Sequence, residues 1–240
     1  MRNPENVKSN VFELEDPPAI IELHDVPEYN ISDYDLNDEK SFKSYIETIE
    51  KKIVRQSFEY KALIKYLREY MDMNQCAFYQ NVNNIDTTKI KIEIHHEPLT
   101  LYDICLIVYN KRVAFHESLD EEYVAKEVMY LHYNLLVGLI PLAETVHQLV
   151  HAQYLFVPTT AVLGKYREFV DRYRDYMLPE QQEALEYIEK ATEVYDGMDA
   201  KTLLSKHFIY IDASGSYNLP KLEDVAALVK GRIKEIVEQK

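Results

Sequence analysis

From residue 41 onward, apolar side chains recur at steps of three and four over most of the chain, which commits most of the fold to helices. Phe42, Tyr45, Ile46, Ile49 and Ile53 begin the pattern. Leu63, Ile64, Leu67, Tyr70 and Met71 resume it after a shift near residues 56–58, which predicts two helices or one bent one. Similar spacing predicts helices over 100–110, 121–135, 143–152, 166–177, 180–195 and 222–237. Three short stretches break the helical period. Residues 88–95 alternate polar and β-branched side chains, as in a half-buried strand with Ile90, Ile92 and Ile94 on one face. Residues 137–142 form a short apolar run with Pro141 near its end, and 207–211 are a candidate strand before a turn at 212–216. The expected class is α+β.

The leading segment differs. Residues 1–40 hold 3 basic and 11 acidic side chains, with prolines at 4, 17, 18 and 27, and read as an extended acidic arm. Such an arm stays solvated, docks on a basic protein partner or screens a basic groove of its own chain. Over the whole protein, 27 basic and 41 acidic residues give a net charge of −14. That balance argues against a generic basic nucleic-acid coat or an anionic-membrane binder, while leaving a local nucleic-acid site open. Residues 41–178 are close to neutral, with 16 basic and 18 acidic side chains. Two cysteines, Cys76 and Cys105, cannot build a disulfide scaffold or a four-cysteine zinc site, and their number suits a reducing cytoplasm. No apolar run follows the first residues and no stretch reaches 18 uncharged apolar positions, so neither a secretory leader nor a membrane partner is expected.

Chemistry concentrates in the histidines. Of eight, four fall in two groups: His95 and His96 end the first strand, and His147 and His151 lie on a helix. A spacing of four puts His147 and His151 one turn apart on one helical face, as two imidazoles on a metal ion require. The same spacing also suits partly buried polar residues on an amphipathic helix. Adjacent residues of a strand point to opposite faces, so one of His95 and His96 can join the helical pair while the other faces elsewhere. His116 and His132, between the two groups, are expected at the surface.

The run Ile92-Glu93-Ile94-His95-His96-Glu97-Pro98 and the run from Val137 to His151 resemble the two halves of the HNH (ββα-metal) endonuclease motif, in the variety found in colicin-type DNases and bacteriophage HNH proteins. The resemblance implies a ββα-metal domain over 88–178 with a helical insertion at 99–136, between a helical region at 41–87 and a helical appendage at 179–240. It implies that His95, His147 and His151 bind one divalent ion (Mg²⁺, Mn²⁺, Ni²⁺ or Zn²⁺) and that His96 is the catalytic base that activates water. Glu97 then supports a histidine from behind, or is merely the turn acid before Pro98. The family has an asparagine nine residues before the first helical histidine, where this chain has Gly138.

By the same resemblance the partner is DNA and the protein is phage-encoded, located in the host cytoplasm or on the virion. Lys89, Lys91, Lys165 and Arg167 are the candidate phosphate-binding cations, although neighbouring acids make a solvated, salt-bridged helix equally compatible around Arg167. The leading expectation is thus a metal-dependent endonuclease. The alternative is a non-catalytic structural or regulatory component of a viral assembly that docks through its acidic arm.

Overall fold

The computed structural model describes residues 22–78, 91–152 and 154–193. Lys89, the first part of the arm, the strand expected at 207–211 with its turn, and the helix expected at 222–237 lie outside the described residues. Helix α1 (Glu39–Thr48) starts at Asp38, whose carboxylate accepts from the Ser41 backbone N–H at 2.8 Å. It widens into a π-helical stretch over Ile49–Val54, which keeps Ile49, Ile53 and Val54 buried. The break at Arg55 to Ser57 ends it, and the Ser57 hydroxyl caps helix α2 (Phe58–Tyr70) by accepting from the Tyr60 N–H. Thus the shift in the apolar stripe marks a true boundary between helices.

Strand β1 (Ile92–His96) is followed by helices α3 (Leu101–Ala114) and α4 (Glu121–Tyr133) before the chain returns in strand β2 (Leu139–Ala143). Thr100 and Asp103 form a reciprocal capping box at the start of α3. Leu101, Ile104, Cys105, Leu106, Ile107 and Val108 are all buried, so α3 is a core helix apolar on most sides. The two strands pair antiparallel, with Ile92 opposite Ala143 and His96 opposite Leu139. Contrary to the half-buried strand expected from alternation, every β1 residue except Glu93 is buried. Pro141 lies opposite Ile94, and its carbonyl accepts from the Ala77 N–H at 2.8 Å on the other side.

Helix α5 (Glu144–His151) continues directly from β2, and α6 (Tyr166–Tyr173) and α7 (Pro179–Thr192) complete the described elements. The fold is therefore mixed and helix-rich, with one small antiparallel sheet among the described residues. None of the described helices is long and apolar enough to cross a membrane. A larger apolar core joins α1, the π-helical stretch, α2, α3, α4 and α6. A smaller one places Ile92, Ile140 and Leu142 of the sheet against Val146 and Leu149 of α5. Residues 22–36 lie along the larger core, with Leu23, Val26, Tyr29, Ile31, Tyr34 and Leu36 turned toward it. His24 bonds the Glu59 carboxylate at 2.6 Å, and Lys126 pairs with Glu22 at 3.0 Å.

Gly138 locks the entry to β2 against the exit of β1. The Glu97 N–H donates to the Gly138 carbonyl at 3.0 Å, and a Cβ on residue 138 would sit 1.8 Å from the Glu97 carbonyl oxygen. No side chain fits there without moving backbone. Gly138→Ala is therefore expected to destabilise the fold by about 3 kcal/mol through forced displacement of the two segments. A lowered urea midpoint would show this, and an unchanged midpoint would contradict the close approach.

Candidate metal centre

β1 delivers two histidines to opposite faces, and their surroundings differ completely. His95 faces α5, where His147 and His151 stand one turn apart. Ring centroids are 4.7 Å apart for His95 and His147, 5.0 Å for His95 and His151, and 4.4 Å for His147 and His151. One nitrogen from each ring lies within 4.8 Å of the others, and the Nε2 atoms of His147 and His151 are 2.9 Å apart. The three residues expected to meet at one ion are thus brought together by strand and helix.

Two carboxylates hold these rings. Glu93 Oε2 lies 2.5 Å from His147 Nδ1, and its other oxygen accepts from Lys91 Nζ at 2.5 Å. A neutral His147 therefore keeps its proton on Nδ1 and its lone pair on Nε2, toward His151. Glu97 Oε2 lies 3.1 Å from His95 Nε2, so Glu97 contacts a cluster histidine rather than standing free before Pro98. Burial tends to raise the pKa of Glu93. Hydrogen bonds and charges from Lys91 and His147 outweigh it and hold the carboxyl below its usual range. Burial first, and then the neighbouring histidines, lower the pKa values of both His147 and His151, which favours the neutral, lone-pair-bearing rings.

His96 points into the other face, where it meets a residue that sequence reasoning placed at the surface. His132 is 0% exposed. Its Nδ1 donates to the Val128 carbonyl at 2.7 Å, and its Nε2 lies 2.9 Å from His96 Nε2. A carbonyl only accepts, so neutral His132 carries its proton on Nδ1 and accepts at Nε2. His96 must then donate from its own Nε2. Tyr60 stacks on the His96 ring at a centroid distance of 6.5 Å. The signal for His132 was present in the sequence, since it continues the step of four from Val124 through Val128, both buried on α4. His116, by contrast, is exposed as expected.

A cleft of about 650 Å³ opens beside the cluster, lined by His95, His147 and His151 together with Arg55, Arg68 and Lys91, and His96 and Tyr60 also border it. Lys91 is already paired with Glu93. Lys165 and Arg167 are placed elsewhere, in a separate pocket with Thr159, Thr160 and Tyr166, and the Arg167 guanidinium lies over the Tyr166 ring. The four candidate phosphate cations therefore do not form one described surface.

Burial lowers the pKa of His132 from 6.5 to about 4, and Arg55 adds to the effect against the raising hydrogen bond from Val128. His96 is held well below its ordinary value by burial, with His132 and Arg55 contributing. Between these limits the unfolded chain binds more protons than the folded one, so stability rises with pH from about 4 to 6.5 and is fully present above that range. For His132 the contribution is on the order of 3 kcal/mol. His132→Gln keeps a partner for His96 but does not titrate, and is expected to flatten the dependence of the urea midpoint on pH across this window. A slope identical to that of the unaltered protein would contradict the assignment.

Residues 8–216 match the sequence model of the bacteriophage G278-like virion protein family. Neither the curated proteins nor the solved structures contain a match to this chain. The family match overturns the assignment to HNH endonucleases, which rested on two short histidine patterns within about 60 residues, whereas the match spans most of the chain. The structure adds a physical reason. At Gly138, where those nucleases have asparagine, the Glu97 carbonyl occupies the space a side chain needs. With the resemblance goes the ground for DNA as substrate and for His96 as a water-activating base. The histidine geometry stands by itself, as a feature of a different kind of protein: the chain belongs to the bacteriophage G278-like virion protein family.

Proposed function

We propose that the protein is a non-catalytic structural component of the phage particle. The observation that carries this reading is the family match, which spans most of the chain. His96 bonds His132 through Nε2 and is mostly buried, so it is tied to the core and stands outside the group of three histidines.

The acidic arm supplies a means of docking. Over residues 22–36 its apolar side chains turn inward while Glu22, Asp25, Glu28, Asp33 and Asp35 remain exposed. The result is a band of negative charge on a firm backing, without the ordering cost that a free tail meets on binding. Its complement is a basic protein surface within the particle. Charge pairing of this kind governs partner choice and encounter rate more than raw affinity.

Glu28→Lys combined with Asp33→Lys and Asp35→Lys should leave circular dichroism unchanged and reduce incorporation into purified particles by about tenfold or more, read by quantitative mass spectrometry. Supercoiled plasmid incubated with the protein and Mg²⁺, Mn²⁺, Ni²⁺ or Zn²⁺ should stay intact. Nicking that disappears in His96→Ala would overturn the structural reading, as would full incorporation of the triple variant.

A further inference from the structure

We infer that His95, His147 and His151 form a site for one Zn²⁺-class ion, which fastens helix α5 to strand β1. A tetrahedral ion about 2.0–2.1 Å from each imidazole nitrogen holds those nitrogens about 3.3 Å apart. The His147 and His151 Nε2 atoms, at 2.9 Å, need to open by only a few tenths of an ångström. All three donors already lie within 4.8 Å of one another, so small ring movements complete the set.

The outer contacts are those of a metal site. An imidazole that ligates through one nitrogen commonly donates from the other to a carboxylate, which fixes its orientation and raises its basicity. His147 does so to Glu93 at 2.5 Å, and Glu93 is itself held by Lys91. His95 meets Glu97 through Nε2 at 3.1 Å, which leaves Nδ1 as its nitrogen for the ion. Two of the three rings are thus held by carboxylates from behind, an arrangement that a chance pair of surface histidines does not need.

The donor set selects the ion. Three imidazoles suit Zn²⁺, Ni²⁺ or Co²⁺, whereas Mg²⁺ and Mn²⁺ prefer oxygen ligands. Three protein ligands leave one tetrahedral position for water or for an oxygen ligand entering from the cleft, because His151 is exposed and His147 is partly so. The structural need is visible in α5. It has only eight residues, too few for stability alone, and buries just Val146 and Leu149. An ion shared with His95 adds a second polar tie to the strand beside it, next to the Glu93–His147 bond.

The test uses the full chain without a histidine tag, stripped by chelator and shown to be folded. Zn²⁺ titration by calorimetry should give one site per chain with a Kd below about 1 μM, and Zn²⁺ should raise the thermal midpoint while Mg²⁺ does not. Co²⁺ should produce the visible bands of a tetrahedral nitrogen-rich site. His147→Gln and His151→Gln, at positions that are not buried, should each abolish those bands, whereas His116→Gln should not. Glu93→Gln should weaken Zn²⁺ binding by about 10- to 100-fold. Absence of Zn²⁺ uptake by folded protein, or uptake unchanged in both helical variants, would overturn the site.

Discussion

The pairing of Ile92–His96 with Leu139–Ala143 is the constraint on which the rest of the described structure depends. Two short strands on their own are marginal in water, and here the connection between them carries α3 and α4. Pairing therefore follows from how those helices pack into the larger core. The close approach of Glu97 and Gly138 then sets the end of the ladder, with Leu139 forming a further bridge to Leu163. Everything at the histidine cluster inherits its position from this pairing, because α5 begins where β2 ends.

The same strand gives the protein two polar environments with opposite properties. On one side His96 and His132 share a proton inside the core, where a donor without an acceptor would be costly. On the other, His95, His147 and His151 gather beside a cleft, with acids rather than apolar groups behind two of them. The first arrangement ties one ring to another through a buried hydrogen bond, and the second gathers nitrogens that a ligand can share. Two adjacent residues of one type thereby serve unrelated purposes, separated only by the alternation of a strand.

Much of this was legible in the residues themselves. The spacing of apolar side chains located α1 to α7, and the i,i+4 pair together with the strand ending in His95 brought the cluster residues onto neighbouring elements. The burial of His132 was missed because a histidine on a helix was read by residue type rather than by its place in the Val124–Val128 stripe. The Glu93–His147 bond could not be read from spacing, since it joins a strand to a helix across 54 positions of chain. The inward turn of Leu23, Val26 and Tyr29 was hidden by the prolines and acids around them, which also mark solvated tails. The nuclease resemblance failed for a related reason: a few histidines define a local arrangement, and such arrangements recur on unrelated chains.

The doubled histidine of β1 also bears on how the strand finds its register. A slip of one residue turns every side chain to the opposite face, so each face would still receive one imidazole, but one of the two would stand two positions along the strand from its partner. The doubled histidine thus keeps one of its two contacts in the slipped register and loses the other. Their neighbour Glu93 adds to the discrimination, since its carboxylate meets Lys91 and His147 in the native register and would be driven among apolar side chains in the slipped one. A charged residue at the rim thus reinforces a register that a pair of like residues would otherwise hold by a single contact.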